Sequence, residues 1–108
     1  MPIETGYNEL YAFYYTEEFK TLVRSEKELL LKSAGTKSII NRYSVQMYRF
    51  DFYRLLRSEG IPPHLYWATA FINGIEDPFM DISGLKEIRT LNESELESVI
   101  ARKNTVRS

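Results

Sequence analysis

The chain has 108 residues, a length that predicts one domain. Its 14 Lys and Arg against 15 Asp and Glu give a formal net charge of −1, so it lacks the positive field that attracts nucleic acid or an anionic membrane. It has no cysteine, which excludes disulfides, thiol nucleophiles and cysteine-bound zinc. No apolar run approaches the roughly 20 residues that span a bilayer.

The first predicted element is a helical stretch from Tyr7 to Lys32. Its apolar residues recur near the 3.6-residue period of a helix, and charged residues fill most of the other face. Thr16 and Ser25 are each placed to cap a new helix, so one bent helix and two shorter helices both remain open.

A strand and a short helix follow. Residues Ser38–Tyr48 are rich in β-branched and aromatic types, which favours a strand within this interval. Asp51 is placed as the N-cap of a helix that begins at residue 52, and Gly60 closes that helix.

A second helix, a second strand and a final helix are predicted in the rest of the chain. A second helix begins after Ile61-Pro62-Pro63 and ends at Asn73-Gly74, and Leu85–Leu91 is predicted as the second strand. Asn92 with Glu95 then predicts a capped, short final helix, and the polar tail after it is expected to fray. The predicted fold is α+β: a helical N-terminal arm (1–36), a small βααβ module (37–91), and a C-terminal helix with a frayed tail (92–108).

The residues offer little catalytic chemistry. His64 is the single histidine, so a conventional His-rich metal site is excluded. A triad would have to combine it with Ser44 or Ser58 and with Asp51 or Glu59, and a histidine at the surface or at a helix start is the favoured interpretation. The glycines are scattered and form no phosphate-binding loop.

Two charged groups have structural interpretations that outweigh functional ones. Glu76, Asp77 and Asp81 form an acidic cluster, but a carboxylate before proline most naturally binds backbone amides in a turn. Arg54 and Arg57 belong to a run of arginines interleaved with aromatic residues, for which a protein contact or a solvated face is favoured over nucleic acid. We therefore predict no enzyme activity, no cofactor and no metal.

The order of elements is similar to that of a known module. The similarity rests on the residues Tyr43-Ser44-Val45, Asp51, Asn73-Gly74-Ile75, Asp77-Pro78 and Gly84-Leu85 with Ile88. This pattern, over residues 43–91, resembles the LysM module, which has βααβ order, an Asp at the first helix and an Asn near the end of the second. The usual Gly-Asp-Thr is replaced here by Phe50-Asp51-Phe52, and Tyr66-Trp67 and Phe79-Met80 are bulky. With these departures the chain looks more like the LysM-like baseplate wedge proteins of contractile-tailed phages.

That resemblance implies a structural virion protein of the phage tail baseplate, made in the host cytoplasm. It would join other baseplate or tail proteins in a multi-subunit assembly, without nucleic acid, membrane or small-molecule substrate. Two alternatives stay open. One is a LysM module that binds peptidoglycan or chitin oligomers in the groove between the second helix and the strand ends. The other is a small adaptor of a cellular complex.

Two groups of side chains are predicted to contact partners. The arm contributes aromatic and apolar residues that would bury poorly against so small a module, unless they complete the chain's own core. The module contributes Arg, Tyr and Trp, the types enriched at interfaces. The predicted set is Tyr7, Leu10, Tyr11, Tyr14 and Tyr15 of the arm, with Arg54, Arg57, Tyr66 and Trp67 of the module.

Overall fold

The computed structural model describes residues 9–39 and 42–107, and the side chains of residues 11–39 and 42–102. Within these residues the fold is α+β, with six α-helices, two 3-10 helices (Glu9–Tyr15 and Pro63–Leu65) and a two-stranded sheet. The α-helices are α1 (Glu17–Ser25), α2 (Lys27–Ser33), α3 (Arg42–Met47), α4 (Phe52–Ser58), α5 (Tyr66–Ile72) and α6 (Glu93–Arg107), and the strands are β1 (Gly35–Ser38) and β2 (Glu87–Thr90).

The two strands pair antiparallel, with Gly35 opposite Thr90 and Ser38 opposite Glu87. The second strand was predicted correctly within Leu85–Leu91, but the first was not. Ser38 is the last residue of β1, and most of the interval predicted as a strand forms helix α3 instead. Three α-helices therefore separate the strands where the predicted βααβ order has two. All four residues of β1 are exposed, so pairing with β2 defines this strand and hydrophobic patterning does not.

The predicted N-terminal helix is divided into three pieces. The Thr16 hydroxyl accepts a hydrogen bond from the amide of Phe19 at 3.1 Å, which confirms Thr16 as the cap of α1. Ser25 is not a cap, since it ends α1 and its hydroxyl donates to the carbonyl of Leu22 at 2.9 Å. Glu26 separates α1 from α2 and makes no capping bond through its side chain.

The later helix boundaries confirm the sequence interpretation. The Asp51 carboxylate accepts from the amide of Arg54, and the Asn92 side chain accepts from that of Glu95, each at 3.1 Å. Gly60 and Gly74, which follow α4 and α5, have positive φ of 86° and 74°. Helix α6 continues to Arg107, so it is longer than predicted and includes most of the tail expected to fray.

Two clusters of buried side chains form the core, and α5 contributes to both. One cluster lies around α4 and the sheet: Ile39, Val45, Phe52, Leu55, Leu56, Ala70, Ile75, Ile82 and Ile88. The other joins α1 and α2 to α5 and α6: Phe19, Val23, Leu30, Leu65, Ala68, Ile72 and Leu96. The segment predicted as an arm therefore supplies buried residues to the body of the protein.

Candidate functional site

Five large apolar side chains stand exposed on two segments of the chain. Tyr43 and Met47 lie on α3, Phe50 lies in the turn after it, and Phe79 and Met80 lie in the loop between α5 and β2. They are 43% to 68% exposed, and they are five of the seven exposed large hydrophobic residues in the described chain. We call these five residues the apolar lobe. A surface of this kind typically marks an interaction site.

Backbone hydrogen bonds hold the two segments of the apolar lobe together. The amide of Phe52 donates to the carbonyl of Pro78, and the amide of Ile82 donates to the carbonyl of Arg49, both at 2.8 Å. These bonds place Phe50 beside the loop that carries Phe79 and Met80. Phe52 and Ile82 are themselves buried, so they anchor the lobe to the core.

Two aspartates shape the loop of the lobe. Asp77 accepts a hydrogen bond from the amide of Phe79, and Asp81 accepts one from the amide of Ser83, each at 2.9 Å. The bond from the Ser83 backbone lowers the pKa of Asp81 below its ordinary value, with a smaller contribution from Arg49. The turn function predicted for Asp77 is thus confirmed, and both residues present the loop as a fixed structure.

A groove of about 310 Å³ lies beside α5 and forms the second candidate surface. Trp67 and Phe71, one helical turn apart, line it with parallel rings whose centroids are 5.3 Å apart. Arg24 lies 5.3 Å from the Trp67 ring and also lines the groove, and Lys27 lies 5.5 Å from the Phe71 ring. The groove is therefore both aromatic and basic, an arrangement that favours an apolar ligand carrying negative charge.

The third feature is a buried histidine among tyrosines. The ring of Tyr11 stacks on that of His64 at 3.7 Å, and Tyr14 meets His64 edge-on at 4.8 Å. His64 is only 9% exposed, so it does not lie at the surface, but it lies in the 3-10 helix directly before α5, which agrees with the other predicted position, a helix start. Burial lowers the pKa of His64, and the nearby carboxylate of Glu93 opposes that shift. Burial also raises the pKa of the Tyr14 hydroxyl, as do Glu93 and Glu97.

The side chains predicted to bind partners do not gather in one place. In the arm, Tyr11 and Tyr14 pack on His64 and Tyr15 is exposed, whereas Tyr7 and the side chain of Leu10 lie outside the described residues. Their role as contact residues stays a prediction.

The module residues of the predicted set are also divided between surfaces. Trp67 lines the groove, and the ring of Tyr66 lies 5.4 Å from that of Tyr53, which lines the groove too. Arg54 and Arg57 are exposed on α4, where Arg54 lies 3.6 Å from the carboxylate of Asp51. Contact with a partner stays a prediction for these four residues as well.

The apolar lobe was missed by sequence reasoning. Phe79 and Met80 stand between Asp77-Pro78 and Asp81, in a turn-forming stretch that offers no helix or strand face on which to bury them. That conflict between bulky apolar residues and turn chemistry is a usable signal. Tyr43 and Met47 were not recognised as neighbours because their segment was predicted as a strand. In a helix, residues four apart lie on one face.

The groups considered for catalysis have structural partners. The Ser58 hydroxyl donates to the carbonyl of Leu55 at 2.7 Å, and Asp51 caps α4. In residues 11–39 and 42–102, no three His, Asp or Glu side chains are grouped so as to hold a metal ion. No helix of the described chain has the length and apolar character to cross a membrane.

Comparisons of the chain with protein-family models, with curated proteins and with solved structures found no match. The resemblance to LysM-like proteins accordingly rests on the motif residues themselves.

Proposed function

We propose that this chain is a structural, non-catalytic subunit that binds neighbouring proteins through the apolar lobe. The observation that supports this most strongly is the exposure of five large apolar side chains on two adjacent segments. Burial of apolar surface against a partner contributes about 25 cal/mol per Å². Aromatic residues and Met are the types that interfaces enrich, and the lobe consists of these alone.

The support beneath the lobe favours the same proposal. Its two segments are joined by backbone hydrogen bonds, and Asp77 and Asp81 fix the loop by bonds to backbone amides. A surface that is ordered before binding loses less conformational entropy when a partner covers it. The lobe is therefore suited to a lasting contact within an assembly.

We further propose a phage tail baseplate as that assembly, with this chain as a wedge subunit that joins neighbouring baseplate proteins in the virion. The support is the motif resemblance carried by Asp51, Asn73-Gly74 and Asp77-Pro78. In the structure these residues cap α4, end α5 and form the turn of the lobe. A small adaptor of a cellular complex would use the same lobe with other neighbours.

Substitution of the lobe in the native host tests this proposal. With Phe79→Ser and Met80→Ser together, the chain should remain folded but should no longer co-purify with its assembly, because the apolar contact is removed. Glu28→Ser with Lys32→Ser, two exposed positions on α2, is the matched control and should assemble normally. Normal assembly of the lobe variant would overturn the proposal. The proteins recovered with the wild-type chain distinguish a baseplate from a cellular complex.

Glycan binding is a second candidate, favoured by one observation: Tyr53, Trp67 and Phe71 line a groove beside α5. Against it, Lys20 and Arg24 lie over the Trp67 ring and Phe71 is stacked on it, so little open aromatic face is left for a sugar. Calorimetric titration with N-acetylglucosamine pentamer separates the two functions. Binding that is lost in Trp67→Ala would support the glycan function, whereas we expect no binding.

A further inference from the structure

The loop of the apolar lobe carries negative charge around its apolar tip. Phe79 and Met80 form that tip, and both are exposed. Three exposed carboxylates surround it in sequence: Glu76, Asp77 and Asp81. The lowered pKa of Asp81 keeps that carboxyl ionised at neutral pH. The loop therefore presents an apolar tip with an acidic rim.

The groove beside α5 has the opposite character. Three cations lie over its aromatic rings: Lys20 and Arg24 over Trp67, and Lys27 over Phe71. Lys20 also pairs with an acid of its own helix, Glu17. In the part of the chain that the structure describes, Arg24 and Lys27 contact the rings and belong to no ion pair. They are free to pair with carboxylates from outside the molecule.

The acidic loop and the basic groove are neighbours on the surface. Gly74, Ile75, Glu76 and Pro78 line the groove, so the base of the loop forms one of its walls. Because the loop forms a wall of its own groove, its tip does not also fill that groove. The groove of another copy offers the same basic, aromatic surface to the acidic loop. When two copies are related by a two-fold axis, the loop of each copy contacts the groove of the other, so the same contact forms twice.

We propose that the groove binds a second copy of this chain in a symmetric dimer, in which the Phe79–Met80 tip of each copy enters the groove of the other. This inference rests on the proposed function, since it names one partner of the apolar lobe. The tip contacts Trp67 and Phe71, and the acidic rim pairs with Arg24 and Lys27. A groove of about 310 Å³ is at the small end of binding sites, which suits one or two side chains.

Charge reversal tests the dimer by sedimentation velocity over a series of protein concentrations. The wild-type chain should show a monomer–dimer equilibrium. Arg24→Glu with Lys27→Glu makes the groove acidic, and Phe79→Lys with Met80→Lys puts two positive charges on the tip while keeping the aspartates that shape the turn and every residue that lines the groove. Each double variant alone should raise the Kd by about tenfold or more, because like charges then face each other at both contacts.

Mixing the two double variants gives the decisive result. A basic tip then faces an acidic groove, and a native tip faces a native groove, so a one-to-one heterodimer should form. Glu28→Lys with Lys32→Glu on α2 is the control and should dimerise as the wild type does. Circular dichroism verifies folding. Arg24→Gln with Lys27→Gln replaces the groove reversal if that fails to fold, and Met80→Lys alone replaces the tip reversal, each with a weaker increase in Kd expected.

Two results would overturn the dimer. One is a wild-type chain that stays monomeric at every concentration, and the other is a dimer that neither reversal weakens. Either result leaves the proposed function intact if the lobe variant Phe79→Ser with Met80→Ser no longer co-purifies with the assembly. In that case the lobe binds a different protein. Trp67, the single tryptophan, provides a second readout, since its fluorescence should change on dilution of the wild type.

Discussion

The side chain of Asn73 connects the end of α5 to strand β2, and its removal should destabilise the fold measurably. Its amide nitrogen donates to the carbonyls of Thr69 and Arg89 at 2.7 and 3.0 Å. Its amide oxygen accepts from the backbone N–H of Arg89 at 2.9 Å. Asn73→Ala removes all of these bonds, and it leaves the backbone groups of Arg89 without the partner that holds β2 against the helix.

The magnitude follows from the number of bonds. Each contributes a net ~0.5–1.5 kcal/mol, and the partly exposed position lets water replace some of them. We expect the free energy of unfolding to fall by about 2 kcal/mol. For a domain of this size, that loss lowers Tm by roughly 8–16 °C. Urea unfolding followed by Trp67 fluorescence and far-UV circular dichroism measures it.

Asn92→Ala is the matched control, because Asn92 makes a single capping bond, to the amide of Glu95. Its loss should cost about 1 kcal/mol. Asn73→Asp removes the donor but keeps the acceptor, because a carboxylate oxygen would then face the carbonyls of Thr69 and Arg89. It should be as destabilising as Asn73→Ala at neutral pH and recover in acid, when the carboxyl can donate. If Asn73→Ala costs no more than Asn92→Ala, this reasoning is refuted.

Two further predictions concern the buried rings. Burial between Tyr11 and Tyr14 lowers the pKa of His64, so the unfolded chain binds its proton more readily. The free energy of unfolding should therefore fall as the pH drops through about 6.5, and His64→Gln should remove this slope in urea melts; equal slopes would contradict it. Phe19 is fully buried, so Phe19→Ala should cost about 3–5 kcal/mol. A loss below about 1 kcal/mol would show that α1 contributes little to the core.

The elements with local signals were predictable from the sequence. Asp51 and Asn92 announce helices because a capping side chain needs only the next few amides, and Gly74 ends α5 because its φ is positive. Strand β1 has no such signal. Its residues are exposed, and it is a strand because it pairs with β2, which is distant in the sequence. Tyr43 and Val45, two of the residues that favoured a strand, instead lie on α3.

The candidate site was less predictable than the fold for a related reason. Trp67 was predicted to contact a partner, and it lines the groove. The cations over Trp67 come from α1, however, and the cation over Phe71 comes from α2, and no spacing rule relates those helices to α5. The apolar lobe likewise depends on hydrogen bonds between the turn at Phe50 and the loop at Phe79, which only the folded chain brings together.

Site-specific photocrosslinking of the apolar lobe in the native host tests the central claim most directly. Phe50 or Phe79 is replaced by p-benzoylphenylalanine, Lys32 on α2 serves as the exposed control, and mass spectrometry identifies the adducts. We predict covalent adducts to a neighbouring protein or a second copy from positions 50 and 79, and none from position 32. An absence of adducts at both lobe positions, or equal labelling at all three, would contradict a protein-binding lobe.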